Sequence, residues 1–311
     1  MTEDCATKSL QKLLDDGWTY HDKESERLAR ELEAAAVAGV GSDLLLPFLH
    51  LATHTIGEHL GDWVRAFRLG RFILDGRAPT FDTAKGWARL QVAAVLAGDS
   101  VEAAELELVY LRATGGNLEA ALLDMRFLLI GCLASSKRLA EAARLYANAV
   151  VLLEQIDSTD SLDRTVAAVS NNLGWELYET TSRSPGMDML MRLCAETSLK
   201  SWLKCGNWIN EERALYFRAL VSNAVGDPRS ALADADKALA IIDTQGQRPL
   251  DAALLHLARA SALAMLGDEN GKSRAIIDAD AVASKLTATD LQEQFASERA
   301  KLVSAARGQA H

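Results

Sequence analysis

Proline is scarce in this sequence, with five in 311 residues, and each falls at an expected helix border: Pro47, Pro228 and Pro249 at helix starts, Pro79 after a helix end, Pro185 in a Ser-Arg-Ser-Pro-Gly loop. A ring that removes an N–H is tolerated in a first helical turn, where that donor has no intrahelical partner. Alternating Val/Ile/Thr runs are missing too, which excludes a strand-based fold. No uninterrupted apolar stretch reaches about 18 residues, so no membrane-spanning helix is expected. The four cysteines, Cys5, Cys132, Cys194 and Cys205, have no CxxC spacing and read as reduced, buried thiols, which suits a cytoplasmic home. Residues 1–11 carry Glu3 and Asp4 and no apolar segment, so no secretory leader is expected. Basic excess is absent: 33 Lys and Arg stand against 43 Asp and Glu, a net charge of -10. Such a chain repels phosphate backbones, and no local basic run offsets this, so neither nucleic acid nor membrane is an expected partner.

Hydrophobic residues make up 49% of the chain, ample for a folded core, whereas aromatics are only 6%. Abundant alanine suits close helix-on-helix packing. Gly-Asp pairs followed by a small residue recur at helix-hairpin intervals: Gly61-Asp62 leads to Ala66, Gly98-Asp99 to Ala103, Gly226-Asp227 to Ala231, and Gly267-Asp268 opens one more. Glycine can take the left-handed conformation that ends one helix, and the aspartate after it can cap the next. Aligned on their small residue, Ala66, Ala103, Ala142, Ala195 and Ala231 lie 37, 39, 53 and 36 residues apart. Positions four and seven further on include Gly70, Tyr146, Leu199, Ala235, Ile73, Tyr110, Ala149 and Ala238, a packing stripe on one helix face. The 53-residue interval predicts an enlarged unit around 160–206 with a longer loop at Thr181 to Met187. About fifteen helices are expected, mostly in antiparallel pairs.

The run Leu215-Tyr216-Phe217-Arg218-Ala219-Leu220, followed by Gly226-Asp227, Ala231, Ala235 and Ala238, resembles a tetratricopeptide repeat, as does Trp87 to Tyr110. Asn172-Leu173-Gly174 carries the Leu-Gly pair expected where two helices approach closely. Most intervals exceed the usual ~34 residues, Ser136-Lys137 replaces one Gly-Asp, and Lys272 replaces a small residue, so the repeats are degenerate. The resemblance implies an all-α fold: a right-handed α-α superhelix, a tetratricopeptide-like solenoid of antiparallel helix pairs with a C-terminal capping helix. The expected organisation is N-terminal helices packed on the array over 1–42, repeats over 43–288, and a capping helix and tail over 289–311. In such arrays the first helix of each pair lines a concave face. That nominates as groove residues Phe48, Thr55 and Glu58; Lys85 and Val92; Asp124, Phe127 and Ala134; Asn171, Trp175 and Tyr178; Arg213, Tyr216 and Asn223; and Leu257 and Ser261. Trp175 and Tyr216 fit a core position as well as a groove position. Arg213 could take a carboxylate, and the two asparagines an extended backbone.

Signals for chemistry are sparse. His50 and His54 lie one turn apart with Glu58 a turn further, but Leu51 stands where an HExxH motif needs glutamate, and three turns is a strained reach for one ion. His21, His59 and His256 read as isolated and structural. Gly267 to Ser273 is one residue short of a phosphate-binding Gly-rich loop, follows a helix rather than a strand, and carries Asp268 and Glu269, which would repel phosphate. Gly-x-Ser-x-Gly is absent. The pairs Asp15-Asp16 and Glu211-Glu212 read as helix-terminal caps or solvated acids. No catalytic residue, metal or cofactor is therefore assigned. The function expected is a non-catalytic scaffold that holds a peptide or helix of another protein in its groove. The alternatives are a ligand-sensing regulator that changes the shape of its superhelix and a metal-dependent enzyme using His50, His54 and Glu58. Exposed aromatics such as Trp18, Trp63 and Trp208 could also support a homodimer.

Overall fold

The computed structural model describes residues 2–246 and 248–308, with the side chains of 2–6 and 303–308 outside the description. Cys5 thus lies beyond the described side chains. Among the described residues the secondary structure is helical throughout. The chain divides into two compact units, residues 1–165 and 166–311.

Unit 1 opens with α1 (Thr2–Gly17) and α2 (Ser25–Ala38). The helix α3 (Leu45–Ala52) runs on into a wider turn, Thr53–His59, and α4 (Trp63–Leu74) completes that hairpin. Two further hairpins follow, α5 (Ala84–Ala97) with α6 (Ser100–Thr114) and α7 (Leu118–Ser135) with α8 (Leu139–Leu153). Leu14, Leu28, Leu32, Leu45, Leu49, Ile56, Ala66, Ile73, Trp87, Leu90, Ala103 and Tyr110 belong to one continuous core, so the N-terminal helices share their interior with the hairpins that follow.

The boundary between the units falls within α9 (Asp160–Glu179). Unit 2 continues with α10 (Pro185–Cys205), α11 (Trp208–Ala224), α12 (Pro228–Gln245), α13 (Pro249–Met265), α14 (Glu269–Ala283) and α15 (Thr289–Gly308). Pro185 is a helix start rather than a loop residue, with the Ser184 hydroxyl capping it by accepting from the Met187 N–H at 3.3 Å. The wide interval therefore arises from two long helices, of 20 and 21 residues, and not from the expected long loop.

The turns work as their sequence implies. Asp62, Asp99, Asp227 and Asp268 each accept the N–H of the residue three further on, at 3.0, 3.1, 3.3 and 2.8 Å. This also explains Gly267 to Ser273: it is a hairpin turn whose aspartate caps α14. At Gly98 (φ 85°) and Gly226 (φ 80°) the chain takes the left-handed conformation, and the next N–H bonds back to Ala94 and Ser222 respectively. The α7–α8 turn makes the same bond, from the Arg138 N–H to Leu133, with Lys137 held at φ 60°. The small-residue stripe is buried where these hairpins pack: Ala142, Ala195, Ala231, Ala235 and Ala238 are fully enclosed. Glu107 and Trp202, at equivalent positions, are only half-buried.

Two substitutions test this account. A side chain in the left-handed conformation costs about 1–2 kcal/mol, part of which glycine forfeits through greater freedom in the unfolded chain. Lys137→Gly should therefore raise the unfolding free energy by about 0.5–1 kcal/mol, read as a higher urea midpoint at unchanged slope. Gly174 lies against α11 and α10: a Cβ there would meet Phe217 Cε1 at 2.7 Å and Cys194 Cβ at 3.1 Å. Gly174→Ala should lower the urea midpoint, at a cost of about 1–3 kcal/mol for overpacking.

Candidate functional site

In each unit one cleft carries residues nominated from the sequence. In unit 1 the cleft has a volume of 470 Å³ and is lined by Leu46, Pro47 and His50 of α3, Lys85 and Arg89 of α5, and Leu128 of α7, together with Trp18 and Thr165. Pro47 and His50 sit three residues apart on α3, and Lys85 and Arg89 four apart on α5, so each pair shares a helix face. The Lys85 ammonium is committed: it donates to Asp124 at 2.5 Å and to the Thr165 hydroxyl at 3.1 Å. Asp124, buried on α7, also accepts from the Tyr110 hydroxyl at 2.7 Å. Burial pushes the Tyr110 hydroxyl well above its ordinary pKa, and the adjacent Asp124 charge adds to this.

Arg89 differs. Among the described residues its guanidinium has no hydrogen bond and no ion pair, and the residue is half-buried at the cleft. Burial pulls its pKa below the usual value, against the opposing pull of Cys132, Glu58 and Asp124. Its neighbour His50 is pushed down to about 3, chiefly by burial and then by the Arg89 charge, and is therefore neutral at ordinary pH.

In unit 2 a cleft of 580 Å³ is lined by Tyr178 of α9, Tyr216, Leu220 and Asn223 of α11, Leu254, Leu257 and Ser261 of α13, and Glu298, Lys301 and Leu302 of α15. Burial raises the Tyr216 hydroxyl above its ordinary pKa, and the Glu298 charge adds to this. The Asn223 amide donates to the Ala258 carbonyl at 2.9 Å. Trp175 stacks on Phe217 with ring centroids 4.8 Å apart and meets Tyr178 edge-on at 5.4 Å. Of its two readings, Trp175 thus takes an inter-helix packing role, while Tyr216 does both jobs.

The nominated groove residues therefore separate. Lys85 lines the first cleft. Tyr178, Tyr216, Asn223, Leu257 and Ser261 line the second. Phe48 and Phe127 do not reach a groove: both are fully buried, Phe127 edge-on to Tyr146 at 5.9 Å, because their helix faces pack onto the neighbouring hairpin. Thr55, Val92, Asp124 and Ala134 are likewise buried. Glu58 turns inward to hold His54, and Asn171 donates to Asn172 at 3.3 Å. Arg213, nominated to meet a foreign carboxylate, faces Asp251 at 3.4 Å. Sequence reasoning passed over Arg89, although it sits between Lys85 and Val92 at helical spacing and shares their stripe.

Three further expectations are corrected. Trp63 is not an exposed patch but is buried against Gly57, where an added Cβ would meet its ring at 2.5 Å. His21 and His59 are not isolated: their rings lie 5.0 Å apart, and each is near His54. The two histidines read as a pair, His50 and His54, have ring centroids 6.5 Å apart. Finally, Glu212 is not solvated but fully enclosed, with Arg248 Nε 3.4 Å and Arg213 Nε 3.8 Å from its Oε1. Burial, and then the neighbouring Asp251 charge, pushes its carboxyl up to about 8. Ionised, it has no hydrogen-bond partner for either oxygen; protonated, it can donate to Asp251.

This sets a pH dependence. The Glu212 pKa is higher in the folded chain than its ordinary 4.5, so the stability it supports is full below that value and is lost as the pH rises through about 8. Asp251 is shifted the other way: its burial is outweighed by hydrogen bonds from Arg248 and Glu212. The window between the two Glu212 values therefore belongs to Glu212. Unfolding midpoints of unit 2 should fall across that window, and Glu212→Gln, which keeps the shape and removes the titration, should flatten the decline.

No family model matches the chain, and no curated protein matches it. Among solved structures it is similar to BtubC from P. vanneervenii, at 14% identity and a TM-score of 0.47, over 72% of this chain and 89% of that one. It is also similar to a kinesin-light-chain-type protein of Podosopora anserina with nearly identical TPR-like repeats, at 14% identity and a TM-score of 0.45, over 67% of this chain and 98% of that one. The helix-hairpin architecture described above stands on the chain's own helices, caps and packing.

Proposed function

We propose that the protein is a non-catalytic interaction module, and that the cleft of unit 1 takes an acidic segment of another protein. The observation that carries this reading is Arg89, a half-buried guanidinium lining the cleft with neither hydrogen bond nor ion pair among the described residues. A guanidinium presents a planar fork that matches a carboxylate through two parallel hydrogen bonds. The cleft adds apolar walls from Leu46, Pro47 and Leu128 and the partly exposed indole of Trp18. Lys85 does not compete for the ligand, because Asp124 neutralises it. A peptide bearing Asp or Glu next to an apolar side chain satisfies both halves of such a site, with the carboxylate supplying the missing counter-charge.

The test is a fluorescence titration of short peptides, using the cleft-lining Trp18 indole as reporter. Acidic peptides with one flanking apolar residue should bind, and the same peptides with amide side chains should not. Arg89→Ala should weaken binding by about tenfold or more, in line with loss of a charge-assisted bidentate contact, while the helical circular dichroism stays native. Equal binding by the amide peptides, or by Arg89→Ala, would overturn the reading.

A further inference from the structure

Among the described residues, a group of metal-ligating side chains outside that cleft lies where the turn after α1 meets the wider turn after α3. Two local features build it. The first is the backbone of Thr53–His59, where the Leu60 N–H bonds to Thr55, five residues back, rather than four. The added residue per turn brings positions five apart onto one face, and His54 and His59 are such a pair. Their Nε2 atoms are 3.1 Å apart. Widened turns of this kind are frequent at functional sites. The second is the segment after α1, which carries His21 to the same point, so that one ligand atom from each of His21, His54 and His59 lies within 4.8 Å of the other two.

The outer contacts orient the rings for ligation. His54 Nδ1 is 2.6 Å from Glu58 Oε2, so it donates to that carboxylate and turns Nε2 outward. His21 Nδ1 is 2.9 Å from the Trp18 carbonyl, which requires Nδ1 to carry the proton and leaves Nε2 with a lone pair. A carboxylate behind one histidine and a backbone carbonyl behind another are the second-sphere partners that fix tautomers at metal centres. Glu58 is itself anchored: Cys132 Sγ donates to its other oxygen at 3.4 Å. Without an ion, two facing Nε2 atoms at 3.1 Å need a proton between them. With one, nitrogens about 2.0–2.1 Å from a tetrahedral ion stand about 3.3–3.4 Å apart, close to the spacing present.

We propose that His21, His54 and His59 form a site for a borderline divalent transition-metal ion of the zinc class, with Glu58 as positioning residue and the fourth coordination place open to water. His59 is exposed, so the open place faces solvent. Three neutral imidazoles and no thiolate or first-sphere carboxylate select zinc-like ions over calcium or magnesium, which take oxygen ligands. The ion would tie the α1–α2 turn, 30 or more residues away in sequence, to the wide turn.

The experiment uses full-length protein purified without a histidine tag, stripped of metal and titrated with Zn²⁺ alone by calorimetry. One ion per chain should bind, with a rise in melting temperature, and Co²⁺ should give the visible absorption of a four- or five-coordinate nitrogen site. His54→Ala and His59→Ala should each weaken Zn²⁺ binding by more than the roughly 10–100-fold that loss of a second-sphere partner costs, and Glu58→Gln should fall within that range. His256→Ala, in the other unit and outside the histidine cluster, should leave it unchanged. His59→Gln, at an exposed position, serves if His54→Ala does not fold. Absence of a one-to-one isotherm, or affinity indifferent to His59 substitution, would overturn the site. Because the readout is metal alone, its failure would leave the acidic-peptide reading untouched.

Discussion

The hairpin turn is the unit on which this structure rests. A helix ends with its last carbonyls unsatisfied and the next begins with its first N–H groups unsatisfied. Here one short turn answers both needs: a left-handed residue folds the chain back so that the following N–H reaches the previous helix, and an aspartate oxygen takes up a donor of the next one. Because both ends are satisfied locally, the two helices emerge already antiparallel. A stripe of alanines then lets them close to full burial without large side chains. The interior is accordingly built from many small contacts repeated from hairpin to hairpin, which is how a chain with 6% aromatics encloses its core.

Where that regularity breaks, the chemistry becomes distinctive. The first full hairpin departs from it with a turn that counts five residues instead of four, and the histidines gather there. The α5 stripe departs by presenting Lys85 and Arg89 at successive turns, one matched by an acid and the other not. In unit 2, Glu212 occupies a place that the fold encloses fully, and it is comfortable there only while it carries a proton.

Much of the architecture was legible in the sequence, because its causes are local. Gly-Asp at fixed intervals states where helices end and begin, and Ala66, Ala103, Ala142, Ala195 and Ala231 mark the packed face. The candidate sites were less legible, because they depend on rotation about a helix axis and on which neighbour arrives. Phe48 and Phe127 have the sequence spacing of groove residues, yet their helix faces are turned onto neighbouring hairpins. Arg213 looked free because Asp251, its neighbour, lies 38 residues away. His54 and His59 escaped a reading based on four-residue turns, since only a five-residue turn aligns them. Nothing in Thr53 to His59 announces that change of pitch except Gly57, whose bare Cα admits the Trp63 ring.

That wider turn has a consequence for how the chain could have changed length. One residue more per turn is, in effect, an insertion absorbed inside a helix: the bulge takes up the extra link while the segments on either side keep their own registers against the core. A helical array can thus gain a residue in mid-rod without lengthening a loop or disturbing its caps, and the side chains carried on the bulge acquire neighbours that ordinary helical pitch would never bring to them.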